Sequence, residues 1–367
     1  MNGACDLAPH YIRAIAPYQP GKPISELARE FGLDEGEIVK LASNENPLGV
    51  SPLADRAMRA VLDGLARYPD GNAFELKRAL VERFGIEMAA IVPGNGSNDV
   101  LELVARAFLS PSTSAVYSQH AFAVYPLAVQ AVGAEGIEVP AKKWGHDLAA
   151  MRAALRADTR VVFVANPNNP TGTFVDGEAL ASFIASVPPE VIVVLDEAYT
   201  EYLPPEARYD SVAWLGRHDN LVITRTFSKI YGLAGLRVGY ALAAPAVADL
   251  MNRVRQPFNV NSLSLAAAAA ALGDDEFVQR SYALNRQGME QLIEGLGRLG
   301  LPCIPSMANF VTFEVPDAQS VFQRLLRSGV IVRPIASYGM PGHLRVSIGL
   351  EAENDRFLEV LRQVSGR

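Results

Sequence analysis

Residues 191–199 read VIVVLDEAY, a short run of β-branched and apolar residues that ends at two acids. Such an uninterrupted apolar run is typical of a strand that is buried on both faces of a parallel sheet. Asp196 is therefore expected at the carboxyl end of a strand, where α/β sheets place their ligands. A carboxylate at this position needs a cationic or hydrogen-bond-donating partner, and a helix N-cap is the alternative interpretation.

Strand-like and helix-like segments alternate on both sides of this run. Strands and helices in alternation favour an α/β domain whose sheet is mostly parallel. In the central region we predict strands at residues 90–92, 114–117, 161–165 and 221–224, and an amphipathic helix at 98–109.

The pattern changes after about residue 275, where a second, smaller α+β domain is predicted. Its predicted elements are helices at 274–299, 318–328 and 353–364, and strands at 308–315, 330–333 and 344–348. The first forty-odd residues do not continue the central alternation. We therefore expect an N-terminal arm over 1–43, a large domain over 44–273 and a small domain over 274–367.

Composition narrows the classes of protein that the chain can represent. Its 367 residues carry a formal net charge of −7, which disfavours binding to nucleic acid or to an anionic membrane. No apolar run reaches the roughly 18 residues of a membrane span, and the amino terminus lacks the apolar core of a signal peptide. Cys5 and Cys303 have no metal-type spacing and fit a reducing compartment, so we expect a cytoplasmic protein without a bound metal.

A glycine-rich turn precedes the helix predicted at 98–109. Asn95-Gly96-Ser97-Asn98-Asp99 would place consecutive backbone N–H groups and small side chains at a helix N-terminus, an arrangement that binds anions. Most turns of this kind only cap their helix, so the segment alone leaves both a phosphate site and a simple cap open.

A lysine follows the strand predicted at 221–224. Thr226-Phe227-Ser228-Lys229 brings two hydroxyls and an amine together, and Arg237 comes eight residues after the lysine. This set suits a cofactor with an aldehyde and a phosphate, because the amine forms an imine while the hydroxyls and the guanidinium hold the phosphate. A solvated surface lysine is the alternative, but glycine and apolar residues surround Lys229.

A rigid turn follows the strand predicted at 161–165. Residues 166–172 read NPNNPTG, and the Asn–Pro pairs and the Thr–Gly pair are turn signals. The segment is either only a turn or a turn that directs an asparagine amide at a ring hydroxyl of the ligand.

The order and spacing of these four segments resemble those of the fold-type-I pyridoxal-phosphate (PLP) enzymes, the aspartate aminotransferase superfamily, across nearly the whole chain. The motifs that carry the resemblance are NPTG, then D-x-A-Y, then S-K with an arginine eight residues later. The resemblance implies an α/β fold, the PLP-dependent transferase fold type I. That fold has a large domain with a mostly parallel, mixed sheet flanked by helices and a smaller α+β C-terminal domain.

The resemblance also implies roles for single residues. Lys229 resembles the lysine that holds the cofactor as a Schiff base and moves a proton between substrate Cα and cofactor C4′. Asp196 resembles the partner of the pyridine nitrogen, and Phe122 takes the place of the aromatic ring that stacks on the pyridine face. Asn169 and Tyr199 resemble the pair that binds the ring 3′ oxygen.

Further cofactor residues are implied at the phosphate. The residues of the phosphate cradle and its turn are expected to be Gly96, Ser97, Asn98, Thr226, Ser228 and Arg237. Tyr68, in Tyr68-Pro69-Asp70, resembles a tyrosine that reaches the cofactor phosphate from the neighbouring subunit. This resemblance implies a homodimer with shared active sites.

Within the superfamily, the resemblance is to the histidinol-phosphate aminotransferases. YQPGKP at 18–23 resembles their opening arm, and LASNENPLG at 41–49 resembles their L-x-x-N-E-N-P-x-G signature. Arg333-Pro334 and LRVSIG at 344–349 resemble their C-terminal arginine pair. The family activity implied is transfer of the amino group of L-histidinol phosphate to 2-oxoglutarate in histidine biosynthesis, which gives imidazole acetol phosphate and L-glutamate.

A substrate of this kind needs an anion site that is distinct from the cofactor's. Arg333 and Arg345 are the candidates, because a guanidinium suits phosphate and carboxylate alike. Tyr18 and Asn44 are candidates for a place near the substrate side chain. Because a guanidinium binds carboxylate as well as phosphate, an aminotransferase for aromatic amino acids is an open alternative. A threonine-phosphate decarboxylase is a further alternative, because these residues do not decide which Cα bond breaks.

Overall fold

The computed structural model describes residues 3–18 and 20–366. Gln19, which belongs to the YQPGKP segment, lies outside the described residues. Among the described residues, the α-helices are α1 (His10–Arg13), α2 (Ile24–Phe31), α3 (Pro52–Val61), α4 (Phe74–Phe84), α5 (Ser97–Phe108), α6 (Val124–Ala131), α7 (Leu148–Ala153), α8 (Gly177–Ser186), α9 (Pro245–Val254), α10 (Ser262–Ala271), α11 (Asp275–Arg298), α12 (Ala318–Arg327) and α13 (Glu351–Ser365).

The strands fall into three sheets. They are β1 (Val39–Lys40), β2 (Ile91–Gly94), β3 (Ser114–Ser118), β4 (Glu135–Val139), β5 (Thr159–Ala165), β6 (Ile192–Asp196), β7 (Leu221–Thr226), β8 (Gly239–Ala243), β9 (Cys303–Ile304), β10 (Phe310–Glu314), β11 (Val330–Ile331), β12 (Arg333–Pro334) and β13 (His343–Ser347).

Seven strands form a mixed sheet in the order β2-β8-β7-β6-β5-β3-β4. β8 is antiparallel to both of its neighbours, and the other neighbouring pairs are parallel. The strands predicted in the central region all occur here, but β4 and β8 were missed. β4 reads EGIEV and β8 reads GYALA, so neither has the β-branched run that identifies a buried strand.

The apolar run of each central strand is explained by burial on both faces. Val162 and Val164 of β5 belong to one apolar cluster, whereas Val161 and Phe163 belong to the other. Helices α3, α4, α8 and α10 contribute to the first cluster, and α5, α6 and α9 contribute to the second. Because side chains alternate along a strand, a strand covered by helices on both faces is apolar at every position.

The C-terminal region contains an antiparallel sheet of four strands in the order β12-β13-β10-β9. The strand predicted at 330–333 is in fact divided. β11 pairs in parallel with β1, which lies in the N-terminal arm, and β12 joins the four-stranded sheet. The predicted domain boundaries after residues 43 and 273 stay predictions. Within the described residues, no helix is long and apolar enough to cross a membrane.

Candidate active site

The parallel strands bring the predicted cofactor residues to one edge of the seven-stranded sheet. β5 ends at Ala165, β6 at Asp196 and β7 at Thr226, and these strands are neighbours with the same direction. The segments that follow them carry Asn169, Tyr199 and Lys229. Motifs that are thirty residues apart from one to the next in the sequence therefore meet at the carboxyl ends of adjacent strands.

A cavity lies at this edge and is lined by both large sheets and by the N-terminal arm. Its empty volume is about 910 Å³, and part of that volume is open to solvent. The predicted site residues that line it are Tyr18, Asn44, Ser97, Asn98, Phe122, Asn169, Asp196, Tyr199, Thr226, Ser228, Lys229, Arg237, Arg333 and Arg345.

Lys229 is the central amine of this cavity. Its Nζ donates a hydrogen bond to the carbonyl oxygen of Ser43 at 3.2 Å and lies 5.7 Å from the ring centroid of Tyr199. Burial, together with the positive charges of Arg345 and Arg237, lowers the pKa of Lys229 to about 8. A substantial fraction of this amine is therefore neutral near pH 8, and the neutral form is the nucleophile.

Asp196 places one carboxylate oxygen in a buried position without a partner. Oδ2 accepts a hydrogen bond from the hydroxyl of Tyr125 at 2.8 Å, whereas Oδ1 is buried and accepts none among the described residues. Burial raises the pKa of Asp196, and the hydrogen bond from Tyr125 opposes that shift. A cationic N–H group bound in the cavity would satisfy Oδ1 and stabilise the ionised carboxylate.

Donor groups converge where a phosphate is expected. Nη1 of Arg237 donates to Oγ of Ser228 at 3.2 Å, and the backbone N–H of Ser228 donates to Oγ1 of Thr226 at 3.1 Å. α5 begins nearby at Ser97 and presents its N-terminus. Gly96 precedes it with φ +81°, and a Cβ there would lie 2.5 Å from Nη2 of Arg237. A larger residue at this turn would thus displace the guanidinium.

Asn44 contacts Tyr199 within the cavity wall. Its Nδ2 donates to the hydroxyl of Tyr199 at 2.9 Å, and its Oδ1 accepts from Oγ of Ser347 at 3.0 Å. Burial raises the pKa of Tyr199 to about 12, so the phenol keeps its proton at neutral pH. Asn44 therefore holds the Tyr199 hydroxyl in place, and its predicted contact with the substrate side chain stays a prediction.

The two C-terminal arginines are neighbours by strand register. Arg333 of β12 pairs with Arg345 of β13, so both side chains leave the same face of the four-stranded sheet. Arg345 is buried, and its Nη1 donates to Oδ1 of Asn169. Nη2 of Arg333 donates to the hydroxyl of Tyr18 at 3.1 Å, and its guanidinium carbon lies 5.4 Å from the centre of that ring. One face of the sheet thus presents two cations to the cavity.

Two residues at or next to the cavity wall were not predicted to have a role. Tyr125 lies on α6, three residues after Phe122, and its hydroxyl donates to Oδ2 of Asp196. Tyr338 ends a short 3₁₀ turn and lines the cavity, and its carbonyl oxygen lies 2.5 Å from Nδ1 of His120. The three-residue spacing from Phe122 could have identified Tyr125. Tyr338 follows no motif, because a tertiary contact alone brings it to the cavity.

Tyr68 lies on the surface of the chain and not in the cavity wall. Its side chain is 83% exposed and stacks on Phe258, with the ring centroids 4.8 Å apart. Phe258 is itself partly exposed, so the two rings form an apolar surface feature. Within the single chain Tyr68 therefore has no site role, and its predicted contact with a neighbouring subunit stays a prediction.

Glu197, which directly follows Asp196, turns away from the cavity. Oε2 of Glu197 accepts from Nε of Arg225 at 2.9 Å and from Oγ of Ser211 at 3.0 Å. The carboxylate is completely buried, and the arginine side chain is nearly so. The side chain of Asp196 thus faces the cavity, whereas that of Glu197 points away from it and forms an internal ion pair with Arg225.

Comparison with known proteins identifies the class that this fold and cavity represent. The chain belongs to the family described as aminotransferase class I and II, whose model matches residues 36–361. Within that class it belongs to the histidinol-phosphate aminotransferases. The enzyme of that name from Methylobacillus flagellatus is 64% identical over 364 residues, which cover 99% of each chain.

Two further relatives agree with this placement. Histidinol-phosphate aminotransferase 2 of Nitrosospira multiformis is 63% identical over 97% of this chain and 91% of its own length. The crystal structure of histidinol-phosphate aminotransferase from Sinorhizobium meliloti, in complex with pyridoxal-5'-phosphate, superposes with a TM-score of 0.89. It covers 97% of each chain at 28% identity. The predicted fold class and enzyme class are thereby confirmed.

Proposed function

We propose that the chain transfers the amino group of L-histidinol phosphate to 2-oxoglutarate, with PLP as its cofactor. The observation that carries the proposal is the convergence of Lys229, Asp196 and Arg345 on one cavity. An amine, a carboxylate and a buried guanidinium there match the three tasks of holding the cofactor, polarising it and binding an anionic substrate. The relatives that are 58–64% identical carry the same activity in their names.

The residues present fit PLP. The unpartnered Oδ1 of Asp196 suits the protonated ring nitrogen, and Phe122 offers an aromatic face at the cavity wall. The cradle of Ser97, Ser228 and Arg237 suits the phosphate, because helix N–H groups, hydroxyls and a guanidinium all donate to anionic oxygens. When bound, PLP supplies the aldehyde that combines with amino groups and the ring that withdraws electrons from the substrate Cα.

The chain's own groups then bind, orient and move protons. Nζ of Lys229 is positioned to accept the proton from the substrate Cα and to return it, because its lowered pKa makes both protonation states accessible near neutral pH. The hydroxyl of Tyr199 is held by Asn44 and would donate to the 3′ oxygen of the bound ring. Asn169, fixed by Arg345, would be the second group at that oxygen.

Substrate anions bind at the arginine pair. Both arginines are buried, but Arg333 contacts Tyr18, which is half exposed, whereas Arg345 contacts Asn169 in the cavity wall. We propose that Arg345 binds a carboxylate or phosphate near the reacting atoms and that Arg333 with Tyr18 completes the outer part of the anion site. An enzyme with these two substrates needs an anion site that accepts both groups, because histidinol phosphate carries a phosphate and 2-oxoglutarate carries carboxylates.

A comparison of substrates tests the proposal. We expect kcat/KM for L-histidinol phosphate, with 2-oxoglutarate as acceptor, to exceed that for phenylalanine and tyrosine. An aromatic amino acid preferred by more than roughly tenfold, about 1.4 kcal/mol in the transition state, would contradict it. Release of CO₂ from threonine phosphate would instead support a decarboxylase.

The cofactor lysine has its own test. Borohydride reduction of the PLP-loaded protein should attach the cofactor covalently to Lys229, as read by peptide mass. Lys229→Ala should bind PLP without a reducible linkage, and Lys142→Ala is the control that keeps it. A reducible linkage that persists in Lys229→Ala would contradict the role of Lys229.

We also propose that the protein is a homodimer in which Tyr68 reaches the cofactor phosphate of its neighbour. The exposure of Tyr68 and its stacking on Phe258 support this, since an exposed aromatic pair is typical of an interface. Co-expression of Tyr68→Ala with Lys229→Ala should restore activity above that of either variant alone, because mixed dimers contain one complete site. A monomeric mass by light scattering, or no restoration, would contradict the proposal.

The boundaries of the domains and the location of the protein are proposals as well. Limited proteolysis should cut near residues 43 and 273 if the arm, the large domain and the small domain are separate units. The acidic composition and the two cysteines support a cytoplasmic location, which fractionation of the source cells would test.

A further inference from the structure

A fully buried tyrosine holds the carboxylate at the end of β6. Tyr125 lies on α6, and its hydroxyl donates to Oδ2 of Asp196 at 2.8 Å. Its ring stacks on Phe163, with centroids 4.8 Å apart and planes 11° apart, and meets Phe122 edge-on at 5.9 Å. Packing on both sides leaves the phenol one orientation, so the hydroxyl is fixed before any ligand binds.

The surroundings of Asp196 make an ionised carboxylate costly. Asp196 is buried, and burial raises its pKa. Besides Tyr125, the titratable groups that interact electrostatically with it are Glu197 on the same segment, Tyr199 on the turn that follows and Lys229 after β7. Glu197 raises the pKa of Asp196, whereas the hydrogen bond from Tyr125 lowers it. A neutral phenol that donates to Oδ2 stabilises the charged form specifically.

We propose that Tyr125 is a positioning residue for the cofactor: it orients Asp196 and keeps it ionised so that Oδ1 meets a cationic ring nitrogen. The two carboxylate oxygens of Asp196 have separate roles in this arrangement. Oδ2 is occupied by Tyr125, and Oδ1 is buried without a partner among the described residues. The proposal rests on the proposed function in one respect, namely that PLP occupies this cavity.

Removal of the single hydroxyl tests the proposal. Tyr125→Phe keeps both ring contacts and loses only the hydrogen bond to Asp196. Tyr117→Phe is the matched control, because Tyr117 is a buried tyrosine of the same apolar cluster. The measurement is the dissociation constant of PLP from the apoprotein between pH 5.5 and 9, followed by fluorescence, with circular dichroism of each apoprotein to check its fold.

Tyr125→Phe should change the pH at which Asp196 is protonated. Without the hydroxyl, the pKa of Asp196 rises, so the carboxylate is lost at a higher pH during acidification. The dissociation constant of Tyr125→Phe should then exceed that of the wild type by roughly tenfold near pH 6 and by less near pH 9, where both carboxylates are ionised. Tyr117→Phe should follow the wild-type curve at every pH.

The same substitution made in an Asp196→Asn variant distinguishes positioning of the carboxylate from a general effect on packing. In Asp196→Asn there is no carboxylate to keep ionised, so adding Tyr125→Phe should change PLP affinity by less than about twofold, with no pH dependence. An equal loss of affinity in both backgrounds, or a Tyr125→Phe curve parallel to the wild type, would overturn the positioning role alone. A wild-type protein that binds no PLP would overturn the proposed function instead.

Discussion

Nη1 of Arg345, on β13, donates a hydrogen bond to Oδ1 of Asn169, in the turn after β5. The two residues are 176 positions apart, and their contact joins the four-stranded sheet to the edge of the seven-stranded sheet. Nη2 of the same guanidinium donates to the carbonyl of Ala42 at 2.9 Å, so the side chain also contacts the N-terminal arm. Its buried Nε has no partner among the described residues, so the arginine retains an N–H group.

Arg345→Lys should reduce activity strongly. An ammonium cannot reach two acceptors in fork geometry, so the contacts to Asn169 and Ala42 and the proposed contact to the substrate anion cannot all be kept. We expect kcat/KM for L-histidinol phosphate to fall about 100-fold, or about 2.7 kcal/mol, which is the scale of one or two charge-assisted hydrogen bonds. Arg356→Lys, at an exposed position of α13, is the control. Near wild-type kcat/KM in Arg345→Lys would contradict the role.

Tyr18→Phe should have a small effect that is confined to binding. The variant keeps the ring beside Arg333 and loses only the 3.1 Å hydrogen bond. One such bond at a half-exposed side chain contributes on the order of 1 kcal/mol, so KM for L-histidinol phosphate should rise about fivefold with kcat nearly unchanged. Steady-state kinetics provide the measurement. A fall in kcat with KM constant would instead indicate that Tyr18 acts in the chemical step.

Gly96→Ala should weaken PLP binding by distorting the phosphate cradle. The backbone at Gly96 has φ +81°, and the new Cβ would lie 2.5 Å from Nη2 of Arg237. We expect the dissociation constant of PLP to rise at least roughly tenfold, about 1.4 kcal/mol. Gly235→Ala is the matched control, because a Cβ there meets nothing within 4 Å. Equal PLP affinities in the two variants would count against the cradle.

The rate at which the apoprotein attaches PLP should depend on the lowered pKa of Lys229. Only the neutral amine reacts, and burial lowers its pKa to about 8. The attachment rate should therefore rise about tenfold per pH unit well below pH 8 and level off above it. Stopped-flow absorbance measures this curve.

The same curve should move in a variant that lacks a neighbouring cation. The charge of Arg345 lowers the pKa of Lys229, so Arg345→Gln should raise that pKa and shift the curve to higher pH. Arg156→Gln, far from the cavity and on the surface, should leave it in place. An unshifted curve in Arg345→Gln would refute the electrostatic coupling.

Glu197→Gln should destabilise the fold. The carboxylate and Arg225 form a buried pair, and the substitution removes the carboxylate that accepts the hydrogen bond of this buried guanidinium. Breaking such a pair costs about 3–5 kcal/mol of the free energy of unfolding, which denaturant titration measures. Asp55→Asn breaks the exposed pair with Arg59 and should change the free energy little. Similar free energies of unfolding for the two variants would contradict the predicted contribution of the buried pair.

Local sequence predicted the elements whose pattern is complete in one segment. The helix at 98–109 occurs at Ser97–Phe108, and the strand at 191–195 occurs at Ile192–Asp196. Edge strand β4 and antiparallel β8 were missed because neither carries a β-branched run. The strand at 330–333 was predicted as one unit because the sequence does not reveal that β11 and β12 pair with different sheets.

The sequence by itself determined the chemical inventory: the amine of Lys229, the acid of Asp196 and the arginines, each in a motif readable within a few residues. Only the tertiary structure decided how these groups act on one another. The burial that lowers the pKa of Lys229, the pairing of Tyr125 with Asp196 and the bond from Arg345 to Asn169 all depend on packing between distant segments. The physical reason is that a motif reports side-chain chemistry, whereas desolvation and hydrogen-bond partners are properties of the folded surroundings.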